Sequence, residues 1–203
     1  MIEGVDSALT GPHGDRTLAA YQAAAHLYVA RTERSRAELQ VFMEKFAAHV
    51  RGGRVLELGS GPGWDAQHLD GMGVHVERTD GTPGLVDLMR ADGFDARLLN
   101  IVTDDLGGPY DGIFANAVLL HLTREEFLSV LRRARRSSRV FAFTLKEGDG
   151  SGWSTAKLEL PRYFTYWREP AIRAALNSAG WSVSSIEQVG DSKTQSWLFV
   201  LAT

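Results

Sequence analysis

Val55-Leu56-Glu57-Leu58-Gly59-Ser60-Gly61-Pro62-Gly63-Trp64-Asp65 decides how the rest of the chain is read. An apolar run of strand character meets three alternate glycines, and a polar residue opens the helix that follows. Glycine allows the backbone to turn sharply and leaves no side chain between the main chain and a ligand. Amides at the N-terminus of the next helix then point at a polar or negatively charged group. The stretch predicts a buried strand, a loop for a small-molecule cofactor, and a helix.

Outward from that loop, strand and helix alternate. The expected elements are a strand over 54–58, a helix over 65–72, a strand over 74–80, and a helix opened by Thr82-Pro83 and stopped by Gly93. Threonine suits the N-cap and proline the first helical position. Strands over 97–101, 111–117 and 139–145 follow, with a helix over 124–136. This alternation calls for a parallel sheet covered on both faces, and right-handed crossovers leave few topologies. Beyond a loop over 146–167 come a helix over 170–178 and strands over 181–189 and 196–202. The turn Gly190-Asp191-Ser192-Lys193 joins these two strands, so they are expected to pair antiparallel. Upstream, residues 18–50 read as two helices broken near 32–35, a cap on a single domain that runs over 18–203. Residues 1–17 read as a flexible arm.

A chain of 203 residues with 44% hydrophobic content can bury one substantial core. A net charge of −3 gives no overall attraction to nucleic acid or an acidic membrane. The absence of cysteine removes disulfides, thiolate metal sites and cysteine nucleophiles, and is compatible with a reducing cytoplasm. The six histidines are dispersed without ligand spacing, so no metal is expected. No apolar run approaches the roughly 20 residues that span a bilayer. The reading is a soluble cytoplasmic protein, with its oligomeric state left open.

Gly59-x-Gly61-x-Gly63 differs from the dinucleotide fingerprint, whose third small residue stands one place later, where this chain has Trp64. Pro62 further removes an amide from the loop. Asp80 lies about 20 residues beyond the loop, at the expected end of the second strand, where a carboxylate accepts both hydroxyls of a ribose. The alternative for Asp80 is an ordinary turn or capping aspartate.

The stretch 55–65, Asp80-Gly81-Thr82-Pro83 and the run Tyr110 to Ala117 resemble the class I S-adenosylmethionine-dependent methyltransferases. Phe114 to His121, Lys146-Glu147-Gly148 and Arg162-Tyr163-Phe164-Thr165 are similar to a group of small, mostly uncharacterised bacterial members. The resemblance implies a Rossmann-like three-layer sandwich with a seven-stranded, mostly parallel sheet and an antiparallel last strand. It implies S-adenosylmethionine as cofactor. Glu57, Gly59, Ser60, Gly61 and Gly63 would surround its methionine part, and Asp80 its ribose. Gly81, Thr82, Asn100 and Ile101 would lie beside the adenine, although the family more often has aspartate where this chain has Asn100. Ala115 and Asn116 would lie near the sulfonium, and Tyr28 would close the pocket from above or else be a core aromatic.

Methyl transfer from a sulfonium is an in-line displacement, so alignment is the main demand and a base is needed only when the acceptor must lose a proton. His121, just past the fourth strand, reads as a candidate catalytic base or as a residue packed beneath the site. Lys146, Arg162 and Tyr163 are candidate acceptor contacts; the aromatic stretch from Arg162 to Trp167 is alternatively a structural plug. Arg132, Arg133, Arg135 and Arg136 read as a solvated helix face, which makes nucleic acid an unlikely partner. The expected function is methyl transfer to a small molecule. Methylation of RNA or protein, and a non-catalytic cofactor-binding module, are the alternatives.

Overall fold

The computed structural model describes residues 13–32, 37–190 and 195–203. At its centre β1 (Arg54–Leu58) buries Val55 against one helical layer and Leu56 and Leu58 against the other. A strand covered on both faces reads as a continuous apolar run, which is what made β1 conspicuous. β2 (His75–Asp80) pairs with it in parallel, and β3 (Ala96–Leu98) extends that side. β4 (Gly112–Ala115) and then β5 (Phe141–Lys146) extend the other side, also in parallel. The chain's last two sheet strands, β8 (Val183–Val189) and β9 (Trp197–Ala202), complete the order β3-β2-β1-β4-β5-β9-β8, with β9 antiparallel to both neighbours. The seven-stranded, mostly parallel sheet and its antiparallel last strand match the expectation.

Helices cover both faces. On one, Phe42, Met43 and Phe46 of α3 (Ala37–Val50) are buried over Phe114 and Phe199. Gly112 permits this approach, because a Cβ there would come within 2.5 Å of Val50 and 2.7 Å of Phe46. On the other face, Phe127 and Leu131 of α6 (Arg124–Ser137) and Ile172 and Leu176 of α7 (Glu169–Ser178) pack over Phe141 and Phe143. Period-2 burial along β5 and β9 feeds both clusters, as alternating side chains must. Thr123 starts α6 with a full capping box, its hydroxyl accepting from the Glu126 amide while Glu126 accepts from the Thr123 amide.

Several boundaries differ from the reading of the sequence. α1 (His13–Ala23) begins inside the expected arm, so residues 13–17 are helical, and residues 1–12 lie outside the described residues. A break at Ala24 separates α1 from α2 (Ala25–Arg31); the break expected near 32–35 falls mostly on residues 33–36, also outside the described residues. Between β1 and β2 lies α4 (Trp64–Gly71), and after β2 comes α5 (Pro83–Ala91). Thr82 stands at the N-cap of α5 without a side-chain cap bond. The loop expected over 146–167 contains a hairpin, β6 (Ser151–Ser154) with β7 (Arg162–Thr165). The turn at 191–194 lies outside the described residues. The arginine face of α6 is less solvated than expected. Arg133 donates to the carbonyls of Ile101 and Asp104, and Arg135 donates to Gly180 and lies over Trp181. Among the described residues no helix is long and apolar enough to cross a membrane.

Candidate functional site

The carboxyl ends of β2, β1, β4 and β5 share one edge of the sheet, where open α/β sheets bind ligands. The glycine loop is fastened there. Ser60 donates its amide to the Thr79 carbonyl (2.7 Å) and accepts the Thr79 amide on its hydroxyl (3.1 Å). Asp80 accepts from the Gly61 amide (2.9 Å) and the Thr82 amide (2.8 Å), tying the loop to the start of α5. Gly59 has φ +66°, and a Cβ on it would come within 2.3 Å of Val118, so only glycine fits. Gly63 caps the start of α4.

Three carboxyls gather at this end. Glu57 is buried with its Oε2 unpartnered; burial, reinforced by Asp65, pushes its pKa up to about 8. Burial also raises Asp80, against the lowering effect of its two amide donors. Asp65 accepts from Asn116 Nδ2 (2.8 Å), and Asn116 Oδ1 accepts from Thr144 (2.7 Å), so α4, β4 and β5 are tied together beside the loop. Ala117, just past β4, holds φ +56°, an uncommon conformation for a residue with a Cβ, and Thr144 secures its amide.

A cavity of about 730 Å³ opens at the glycine loop, with Tyr28, Gly59, Ser60, Gly61, Asn116 and Lys146 of the expected residues in its wall. Tyr28 closes it from above as expected, its ring 3.3 Å from where a Cβ on Gly61 would stand. Lys157 donates to Thr32 and lies over the Tyr28 ring, and Arg31 binds Glu159, so the segment joining β6 to β7 is clamped onto α2. Glu57, Gly63, Asp80, Gly81, Thr82, Asn100, Ile101, Ala115, His121, Arg162 and Tyr163 do not line this cavity. Leu18 of α1 sits against Gly81, and Gln22 accepts from the Gly84 amide, so α1 covers that corner. Asn100 uses its side-chain oxygen to accept from the Val102 amide. Ala115 is buried in the core at the end of β4.

At the β5 end Lys146 and Arg162 come together, while Glu147 and Asp149 pair with Arg168. Lys146 Nζ stands 4.2 Å from the centroid of Phe164, and Arg162 lies 5.2 Å from the same ring. Arg162 is buried and donates to the Tyr21 hydroxyl (3.2 Å) and the Ala156 carbonyl. His121 Nδ1 lies 2.6 Å from the Tyr163 carbonyl, which can only accept, so the proton sits on Nδ1 and Nε2 accepts from the Tyr21 hydroxyl (2.9 Å). Loss of solvation holds the ring's pKa down to about 4, with the cations of Arg162 and Lys146 adding to the effect. His121 is therefore the neutral end of an Arg162–Tyr21–His121 chain, the packed arrangement that stood as the alternative to a catalytic base. The Tyr163 side chain departs from its expected place: it stacks on His13 and donates to Ser151, while its amide donates to Thr17. Tyr21 and Asp65 were missed. Tyr21 showed only as one more aromatic in a helical pattern, whereas Asp65, at the end of the quoted stretch, was legible as a carboxylate at a helix start.

No protein-family model matches the sequence, and no curated protein matches it. Solved structures do. The 1,6-didemethyltoxoflavin-N1-methyltransferase of Burkholderia thailandensis, with bound 1,6-didemethyltoxoflavin and S-adenosylhomocysteine, is 21% identical at a TM-score of 0.72, covering 100% of this chain and 96% of its own. The magnesium protoporphyrin IX methyltransferase of Synechocystis PCC 6803, with bound S-adenosylmethionine, is 14% identical at 0.73, covering 95% and 97%. A DhpI complex with S-adenosylhomocysteine is 23% identical at 0.72, covering 95% and 98%. In sheet order and helical layers the chain has the fold of the class I S-adenosylmethionine-dependent methyltransferases.

Proposed function

We propose that the chain is an S-adenosylmethionine-dependent methyltransferase acting on a small-molecule acceptor. The observation that carries this reading is Asp80: a buried carboxylate at the end of β2, held by the Gly61 and Thr82 amides beside the glycine loop. A carboxylate so placed suits a ribose diol. The residues present also fit the rest of the cofactor. The unpartnered Oε2 of Glu57 suits its ammonium group, the loop at Gly59 and Gly61 leaves room for its methionine chain, and the Asn100 amide nitrogen suits adenine. When bound, the cofactor supplies an activated methyl on a sulfonium.

The chain's own residues hold the partners in line and keep water out. Tyr28, clamped by Lys157, roofs the loop, and Asn116 and Ala117 form the floor at the end of β4. Lys146 marks the acceptor side, next along the edge. His121, neutral and with Nε2 already accepting from the Tyr21 hydroxyl, stands outside the cavity wall and is given no part in proton transfer. The similar structures, one with bound 1,6-didemethyltoxoflavin and one named for magnesium protoporphyrin IX, support a small acceptor. A crystal structure with S-adenosylhomocysteine tests the reading. The product is expected with its ribose on Asp80 and its sulfur toward Asn116; a product bound elsewhere, or none at saturating concentration, would overturn it.

A further inference from the structure

Building on the methyltransferase reading, we propose that the acceptor carries a carboxylate or similar oxyanion that pairs with Lys146. Lys146 lies at the end of β5 in the cavity wall, one strand beyond the expected position of the sulfonium. It lies against Phe164 at 4.2 Å, with Trp197 at 5.9 Å. Arg162 approaches the same Phe164 ring and is buried with its Nε unpartnered.

Two cations thus share one aromatic ring, and among the described residues neither has a carboxylate partner. Arg162 spends its other donors on neutral oxygens, the Tyr21 hydroxyl and the Ala156 carbonyl. Other cations around the cleft are engaged: Arg31 pairs with Glu159 and Lys157 donates to Thr32. Buried charges are ordinarily paired, because desolvation penalises each one left alone. Aromatic faces offset part of that cost and supply no counter-charge. Burial and the neighbouring Arg162 both lower the lysine's pKa, as expected where an anion is missing. An oxyanion on the acceptor would supply the missing charge and fix the orientation of the acceptor against the end of β4.

The methionine carboxylate of the cofactor is a second possible source of the same chemistry, and the test separates the two. S-adenosylhomocysteine is titrated into the full chain by calorimetry, followed by matched probes: benzoate against benzamide, phenylacetate against phenylacetamide, phenyl phosphate against phenol. At least one anion is expected to bind about tenfold more tightly than its neutral partner. Lys146→Met should abolish that preference, Lys146→Arg should keep it, and all three proteins should bind S-adenosylhomocysteine alike. The proposal fails if no anion in the panel is preferred, or if the preference survives in Lys146→Met. Weakened S-adenosylhomocysteine binding in Lys146→Met would assign the lysine to the cofactor and overturn the proposal while leaving the methyltransferase reading intact. Folded wild-type protein that binds no S-adenosylhomocysteine would remove that reading and the proposal together.

Discussion

Around the glycine loop stand the carboxyls of Glu57, Asp65 and Asp80, with the buried guanidinium of Arg78 beside Gly63; beneath the β6–β7 hairpin stand the half-buried Lys146, the buried Arg162 and His121. Burial pushes the three acids up and pulls His121 and Lys146 down, so at both ends desolvation works against charge. The two ends meet that cost differently. At the acidic end backbone amides and Asn116 share the load, whereas at the basic end Arg162 leans on a phenol and a carbonyl. The acids stand on β1, β2 and α4, and the bases on β5, β7 and the turn after β4. A parallel sheet whose strand ends share an edge places these groups in a row, the carboxyls toward β2 and the bases toward β5. The contrast teaches that the two ends meet the same desolvation cost by different means, amide donors at one and neutral oxygens and aromatic faces at the other.

The largest break in that contrast is expected from Asp80→Asn. Removing a charged acceptor should weaken S-adenosylhomocysteine binding about tenfold to a hundredfold by calorimetry, with no loss of oxyanion preference at the other end. Tyr21→Phe attacks the basic end. It leaves His121 Nε2 and one Arg162 donor without a partner, which should lower stability by about 1–3 kcal/mol in urea unfolding. Cofactor affinity should change little; an unchanged urea midpoint would mean the chain Arg162–Tyr21–His121 holds nothing.

Glu57→Gln sharpens the contrast through pH. With a folded pKa near 8 against 4.5, the folded chain keeps a proton that the unfolded chain releases across that window. Its contribution to stability is therefore full at low pH and declines as pH rises from 4.5 to 8. His121 works in the opposite sense. Its folded pKa near 4 against 6.5 means that stability falls as pH drops from 6.5 to 4. Above pH 6.5 only Glu57 of this pair contributes, so the wild-type midpoint should fall between pH 6.5 and 8 and the Gln variant should be flatter. An equally steep fall in the variant would remove Glu57 from the account. Smallest is Thr123→Ala, at the capping box of α6 and away from both ends. It should cost about 1 kcal/mol and leave binding unchanged at each.

How far the sequence could be read follows the same division. The acidic end lies in strands and turns that are local in the chain: β1, three glycines, and Asp80 at fixed distance. Local patterning reveals such a site. The basic end is assembled from positions far apart, Tyr21 with His121 and with Arg162, and no periodicity links them. His121 could be read either as a base or as a packed residue, because its partner Tyr21 lies a hundred residues away. The hairpin of β6 and β7 was hidden because its short strands pair only with each other and carry little alternating apolar pattern. The start of α1 was hidden by Gly14 and polar neighbours that resemble a loose terminus. A buried arginine such as Arg162 runs against residue-type expectation, and only its packing reveals it.

The central claim is that the acidic end holds S-adenosylmethionine, and calorimetric titration of S-adenosylhomocysteine into the wild-type chain tests it most directly. Saturable binding at one site per chain, weakened in Asp80→Asn and retained in Lys146→Met, is the predicted result. A folded chain that takes up no heat of binding at any concentration, or binding indifferent to Asp80, would contradict it.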